Sequence, residues 1–124
     1  MKKLSVLLFV FLFTALNASA EMAVEVKVGK SLVDRVPQDV AESFSADTVQ
    51  LVGWCRVKGA TEPVEIYHRW RRDGKDEAMM KLPVRSSSYR VWSFFAPKGR
   101  TGSWTLEVLD WDKNVLATTS FEIK

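Results

Sequence analysis

One cysteine, Cys55, and one histidine, His68, stand in a chain of 124 residues. A lone cysteine forbids an intramolecular disulfide, and two residues of these types are too few for a zinc site. No metal and no other cofactor is expected. Surplus charge of one sign is also scarce: 18 basic residues face 15 acidic ones. Lys2 and Lys3 lie in the first stretch, so 16 basic and 15 acidic residues remain beyond position 20. A nucleic-acid footprint needs clustered surplus cation, so no nucleic-acid partner is expected. Glycine is sparse, and Gly99-Arg100-Thr101-Gly102-Ser103 lacks the Gly-Lys-Ser/Thr ending and the following helix that a phosphate loop requires. It reads as a connection between strands.

Long apolar runs are limited to Leu4–Leu16, which follows Lys2-Lys3 and precedes Ala18-Ser19-Ala20. A positive start, a short apolar stretch and small residues before the cut are the parts of a signal peptide. The run falls short of the ~20 residues needed to span a bilayer, which weighs against an uncleaved anchor. The expectation is a cleaved signal peptide over residues 1–20, a single domain over 21–124, no retained transmembrane segment, and a bacterial periplasmic or secreted location. In an oxidising compartment Cys55 has two readings, a small buried hydrophobe or a free thiol forming an interchain bridge.

What the remaining 104 residues do contain is β-formers: 14 Val, two Ile and 11 aromatics. Val24, Val26 and Val28 alternate with Glu25 and Lys27. Thr48–Lys58 places Val49, Leu51, Cys55 and Val57 on one face. Val64–Arg72 divides cleanly, with Val64, Ile66, His68 and Trp70 against Glu65, Tyr67, Arg69 and Arg71. Asp73-Gly74 is a hairpin turn, since glycine adopts positive φ freely. Met80–Val84 returns, and Pro83 marks it as a sheet edge. Tyr89–Ala96, Trp104–Val108 and Val115–Ile123 complete seven strands. Val36–Asp47 is irregular, with Val40 and Phe44 spaced for a short helical turn. Seven strands with short, even turn spacing imply two packed antiparallel sheets, a small immunoglobulin-like β-sandwich.

Candidate chemistry is thin. His68 alternates with Ile66 and Trp70, so a packed structural histidine is the leading reading and a ligand contact the alternative. No nucleophile elbow or cysteine-protease signature accompanies it, and no catalytic residue is assigned. Asp110-Trp111-Asp112-Lys113-Asn114 begins like a calcium loop, but Val115 replaces the required Gly and Phe121 the bidentate Glu. A hairpin with Asn114 left-handed is expected there instead. The marked feature is five Trp with Arg69, Arg71, Arg72 and Arg90 crowding the middle strands. Indole beside guanidinium grips sugars, peptides or carboxylates by stacking and paired hydrogen bonds. Trp70 and Trp104 share the parity of inward residues. Of the alternating pairs Trp92/Phe94 and Val91/Phe95, one pair faces out.

The ordered set His68-Arg69-Trp70, Tyr89-Arg90-Val91-Trp92-Ser93, Gly102-Ser103-Trp104 and Phe121 resembles a bacterial family catalogued as domain of unknown function 2914. The likeness extends to Val33-Asp34-Arg35-Val36-Pro37 and is strongest from Val64 to Ile123. It implies an exported or membrane-tethered β domain and brings no reaction, cofactor or partner. Asn114 stands where that family has Gly, and Tyr89 where Trp is common.

The leading expectation is a non-catalytic exported module that binds an envelope ligand, a glycan, peptide or other anionic or polar group. Its candidate contact residues are His68, Arg69, Trp70, Arg90, Trp92, Ser93 and Trp104. The alternative is an accessory subunit that docks on an envelope protein by adding a strand at a sheet edge. A small carboxylate-dependent hydrolase stands third, because nothing assembles an activated nucleophile.

Overall fold

A computed structural model describes residues 22–124. The signal-peptide reading of residues 1–20 lies outside the described residues. Ten strands run in chain order: β1 Ala23–Gly29, β2 Ser31–Val33, β3 Val36–Gln38, β4 Ser43–Phe44, β5 Leu51–Lys58, β6 Val64–Arg72, β7 Lys75–Val84, β8 Ser88–Phe95, β9 Gly102–Leu109 and β10 Val115–Ile123. No helix forms among the described residues. The two main sheets have orders β1-β5-β8 and β4-β10-β9-β6-β7, and β2-β3 is a separate hairpin. The all-β sandwich expected from the alternation is present.

All seven expected strands form, and three short ones join them. The helical turn expected from Val40 and Phe44 is absent. Val36–Gln38 pairs with Ser31–Val33 instead, closing a two-residue loop in which Asp34 and Arg35 have φ of 51° and 64°. Two consecutive positive φ values match the twist of a tight hairpin. Ser43–Phe44 then pairs in parallel with Glu122–Ile123, which draws Phe44 into the core. Two further details differ from expectation. Val49 precedes β5 and is 82% exposed. In the last hairpin Lys113, with φ 68°, takes the left-handed position expected of Asn114. Asp110 explains this, since its carboxylate accepts from the Asn114 amide at 2.8 Å and its carbonyl from the Lys113 amide at 2.9 Å.

The core has two parts. At one end Trp70 stacks on Phe95 with centroids 4.9 Å apart, and Trp104 stacks on Phe121 at 6.1 Å. At the other, Val57, Ile66, Val84, Val91 and Val108 fill the space between sheets. Arg100 closes the aromatic end. Its guanidinium lies 5.5 Å from the Phe95 ring and 5.7 Å from that of Trp104, and its carbonyl accepts the Trp104 indole N–H at 3.0 Å. Glu77 neutralises it. In the β6–β7 ladder Trp70 pairs with Ala78 and Arg71 with Asp76, which leaves Glu77 as the extra residue of a bulge. Bulges re-aim a side chain, and this carboxylate turns to Arg100 and, at 3.4 Å, to Arg72.

Candidate functional site

Strand periodicity places the seven candidate residues in three different environments. His68, Trp70, Ser93 and Trp104 point inward and are buried. Arg69 projects from the outer face of the five-stranded sheet. Arg90 and Trp92 project from the outer face of the three-stranded sheet, on the opposite side of the sandwich. The seven therefore do not form one surface.

The buried members build a polar bridge between the sheets. His68 on β6 places Nδ1 2.8 Å from Ser93 Oγ on β8 and Nε2 3.3 Å from Cys55 Sγ on β5. The Trp70 indole N–H donates to the same Ser93 oxygen at 3.4 Å. A strong donor buried without an acceptor is costly, so the proton arrangement that pairs every N–H and O–H is favoured. Trp70 N–H then donates to Ser93, the Ser93 hydroxyl to His68 Nδ1, and His68 Nε2–H to the Cys55 sulfur. Only the S–H, a weak donor, is left over.

A cysteine, a histidine and a serine in contact have the composition of a nucleophile and its base, but their environment works against that chemistry. Cys55 and His68 are both 0% exposed. Burial pushes the Cys55 thiol up to about 12 and the His68 imidazole down to about 4, because each loses the water that stabilises its charged form. Neither thiolate nor imidazolium forms at neutral pH. Among the described residues no cluster of three or more His, Cys, Asp or Glu is placed to hold a metal.

On the outer face of the five-stranded sheet, Arg69 is already engaged. Its Nε lies 2.7 Å and its Nη2 2.5 Å from Glu107 Oε1. Arg71 joins this group through Glu107 at 3.9 Å and is also held by Asp76 at 2.9 Å and by the Gly74 carbonyl at 2.5 Å.

The outer face of the three-stranded sheet is different. Register sets Arg56 directly opposite Arg90 and Trp54 opposite Trp92. Like charges facing each other on an antiparallel pair repel, and Glu25, opposite Arg56 across the β1–β5 pair, offsets part of that repulsion on the Arg56 side. Among the described residues the ion pairs of arginine involve Arg69, Arg71, Arg72 and Arg100, not Arg56 or Arg90. Trp54 is buried here under the β2–β3 hairpin, its indole N–H donating to the Arg35 carbonyl at 3.0 Å. Lys27 and Arg56 lie 5.7 Å and 5.9 Å from its ring. Trp92 is half-buried and Phe94 is 48% exposed. Two aromatic edges and two facing guanidiniums thus share one surface. Sequence reading named Arg90 and set Trp92 and Phe94 on one face without deciding which pair faced out. The structure turns Trp92 and Phe94 outward, and Arg56 was missed because only strand pairing shows who faces whom.

Residues 63–123 match the model of a family described as Protein of unknown function (DUF2914). The resemblance stands. The DUF2914 match runs from the start of β6 to the end of β10 and does not include the Val33–Pro37 hairpin. Among the residues that carry it, His68, Trp70 and Ser93 form the buried bridge, Trp104 and Phe121 the aromatic stack. No curated protein matches the chain in sequence. In fold it is similar to part of a β-glucosidase from Kluyveromyces marxianus, with TM-score 0.52 and 7% identity over 85% of this chain and 14% of that one. A β-glucosidase from Listeria innocua gives TM-score 0.50 and 12% identity over 82% of this chain and 16% of that one. The chain thus spans about a seventh of those enzymes, and at such identity the likeness is one of fold.

Proposed function

We propose that this chain is a non-catalytic, exported β-sandwich module that binds an anionic group of an envelope ligand on the outer face of its three-stranded sheet. The observation that carries this reading is the facing pair Arg56 and Arg90, flanked by Trp92 and Phe94. An anion seated between two guanidiniums converts their repulsion into paired, charge-assisted hydrogen bonds, and the aromatics supply apolar contact beside it. Arg69 has no part in this, since Glu107 already holds it. A catalytic reading finds no support in the buried Cys55–His68–Ser93 bridge, which no substrate reaches.

The experiment is a titration with dextran sulfate, with uncharged dextran as control. Arg90→Ala weakens binding at least about tenfold, the worth of a lost charge-assisted bond, and leaves the melting temperature nearly unchanged. Equal binding by wild type and Arg90→Ala counts against the reading.

A second reading has one supporting feature. β8 is an edge of its sheet, eight residues long, and carries neither Pro nor Lys to block an added strand. Docking by strand addition requires that proline substitution along β8 abolish partner capture while Arg90→Ala does not.

A further inference from the structure

A second surface, on the other sheet, carries chemistry that the anion-binding face does not use. Trp111, in the β9–β10 turn, is 56% exposed. The ring is held in place. It stacks on Tyr67 of β6 with centroids 6.2 Å apart and planes 26° from parallel, and Lys81 Nζ of β7 lies 5.4 Å from its centroid. Lys113 in turn sits 5.0 Å from the Tyr67 ring. Beside Trp111 a cleft of about 530 Å³ opens, lined also by Pro63, Glu65, Pro83 and Arg85. That volume falls in the range of small-ligand sites.

The floor is built by register. Glu65 faces Pro83 and Tyr67 faces Lys81 across the β6–β7 ladder, so all four side chains rise on the outer face where Trp111 folds down. The two prolines give rigid apolar walls, since their rings lock the backbone. Glu65 brings an acceptor and Arg85 a fork of donors. Lys81 lies 3.9 Å from Glu65, so the cleft has both signs of charge and no strong field of either.

An exposed, immobilised indole beside one carboxylate and one guanidinium suits a ring with an apolar C–H face and a rim of hydroxyls. We infer that this cleft is a subsite for an uncharged pyranose unit of a saccharide, stacked on Trp111 and hydrogen-bonded by Glu65 and Arg85. A larger hollow of about 810 Å³ lies on the same sheet near Arg71 and Glu107. Its charged lining is mostly carboxylate, with Arg71 3.9 Å from Glu107, and its aromatics, Trp104 and Phe121, are buried, so it offers no ring face.

The test uses the mature protein with ¹⁵N-labelled tryptophan side chains and a panel of cellohexaose, maltohexaose and chitohexaose. At least one of the three shifts the Trp111 indole N–H resonance saturably. Trp111→Ala weakens that binding at least about tenfold, the scale of a lost stacking partner, and Glu65→Gln weakens it while keeping the fold. Arg90→Ala leaves it unchanged, and Trp111→Ala leaves dextran sulfate binding unchanged, so this site and the anion face fail separately. Silence of the Trp111 resonance with all three sugars overturns the inference. So does undiminished saccharide binding by Trp111→Ala, or a Trp111 shift given by decaproline and by none of the sugars, which would make the cleft a peptide groove.

Discussion

His68 Nδ1 on β6 and Ser93 Oγ on β8 meet at 2.8 Å in the middle of the sandwich, joining two sheets that share no backbone hydrogen bonds. The contact fixes how the sheets are aligned, because a polar pair in an apolar layer has only one satisfied arrangement.

The first consequence is acid lability. His68 holds its proton at about 4 in the folded protein, below its ordinary value of 6.5, so the unfolded chain binds more protons between those values. Its contribution to stability is complete above about pH 6.5, is lost as pH falls toward 4, and stays lost below. The whole span amounts to roughly 3 kcal/mol. Denaturant melts from pH 7.5 to 4.5 should show this slope. His68→Gln, less stable at neutral pH, should lack the His68 part of it.

Removing the other partner tests the same bridge at fixed pH. Ser93→Ala leaves both His68 Nδ1 and the Trp70 indole N–H without the oxygen they share. The expected cost is about 2–3 kcal/mol, the penalty for orphaned buried polar groups. A melting temperature within a degree or two of wild type would show that the hydroxyl is dispensable.

Cys55 should be inert in the native state. It is fully buried, and its thiol is pushed up to about 12. A disulfide reagent at pH 8 is expected to label it only at the rate of unfolding, and the protein to run as a monomer without reductant. Rapid labelling, or a dimer that reductant dissolves, would restore the interchain bridge.

Gly53 gives a steric prediction. A Cβ there would lie 2.6 Å from Trp70 Cζ2 and 2.7 Å from Leu106 Cδ2. Both neighbours are fully buried, so neither yields easily. Gly53→Ala should cost about 1–3 kcal/mol through overpacking, read as a lowered denaturation midpoint with unchanged slope.

Much of this protein is written in its local sequence. Two-residue alternation set the inward face of β6 as Val64, Ile66, His68 and Trp70, and the Asp73-Gly74 turn appears with φ of 50° and 81°. Pro83 lies on an edge strand, as a residue without a backbone donor must. The short strands β2, β3 and β4 escaped, because their pairing depends on distant partners. Phe44 joins the core only because Ile123 runs beside it, 79 residues later in the chain.

The functional surfaces follow the same division. Parity determines which face of its own strand a side chain occupies, so the sequence separated Arg69 from Trp70 and Trp92 from Ser93. It carries no information on which strands become neighbours or which sheet a strand joins. Those are settled by long-range hydrogen bonding and apolar burial summed over the whole domain. Tertiary structure alone therefore placed Arg69 and Arg90 on opposite sides of the sandwich, set Arg56 against Arg90, and turned Cys55, His68 and Ser93 into one buried bridge.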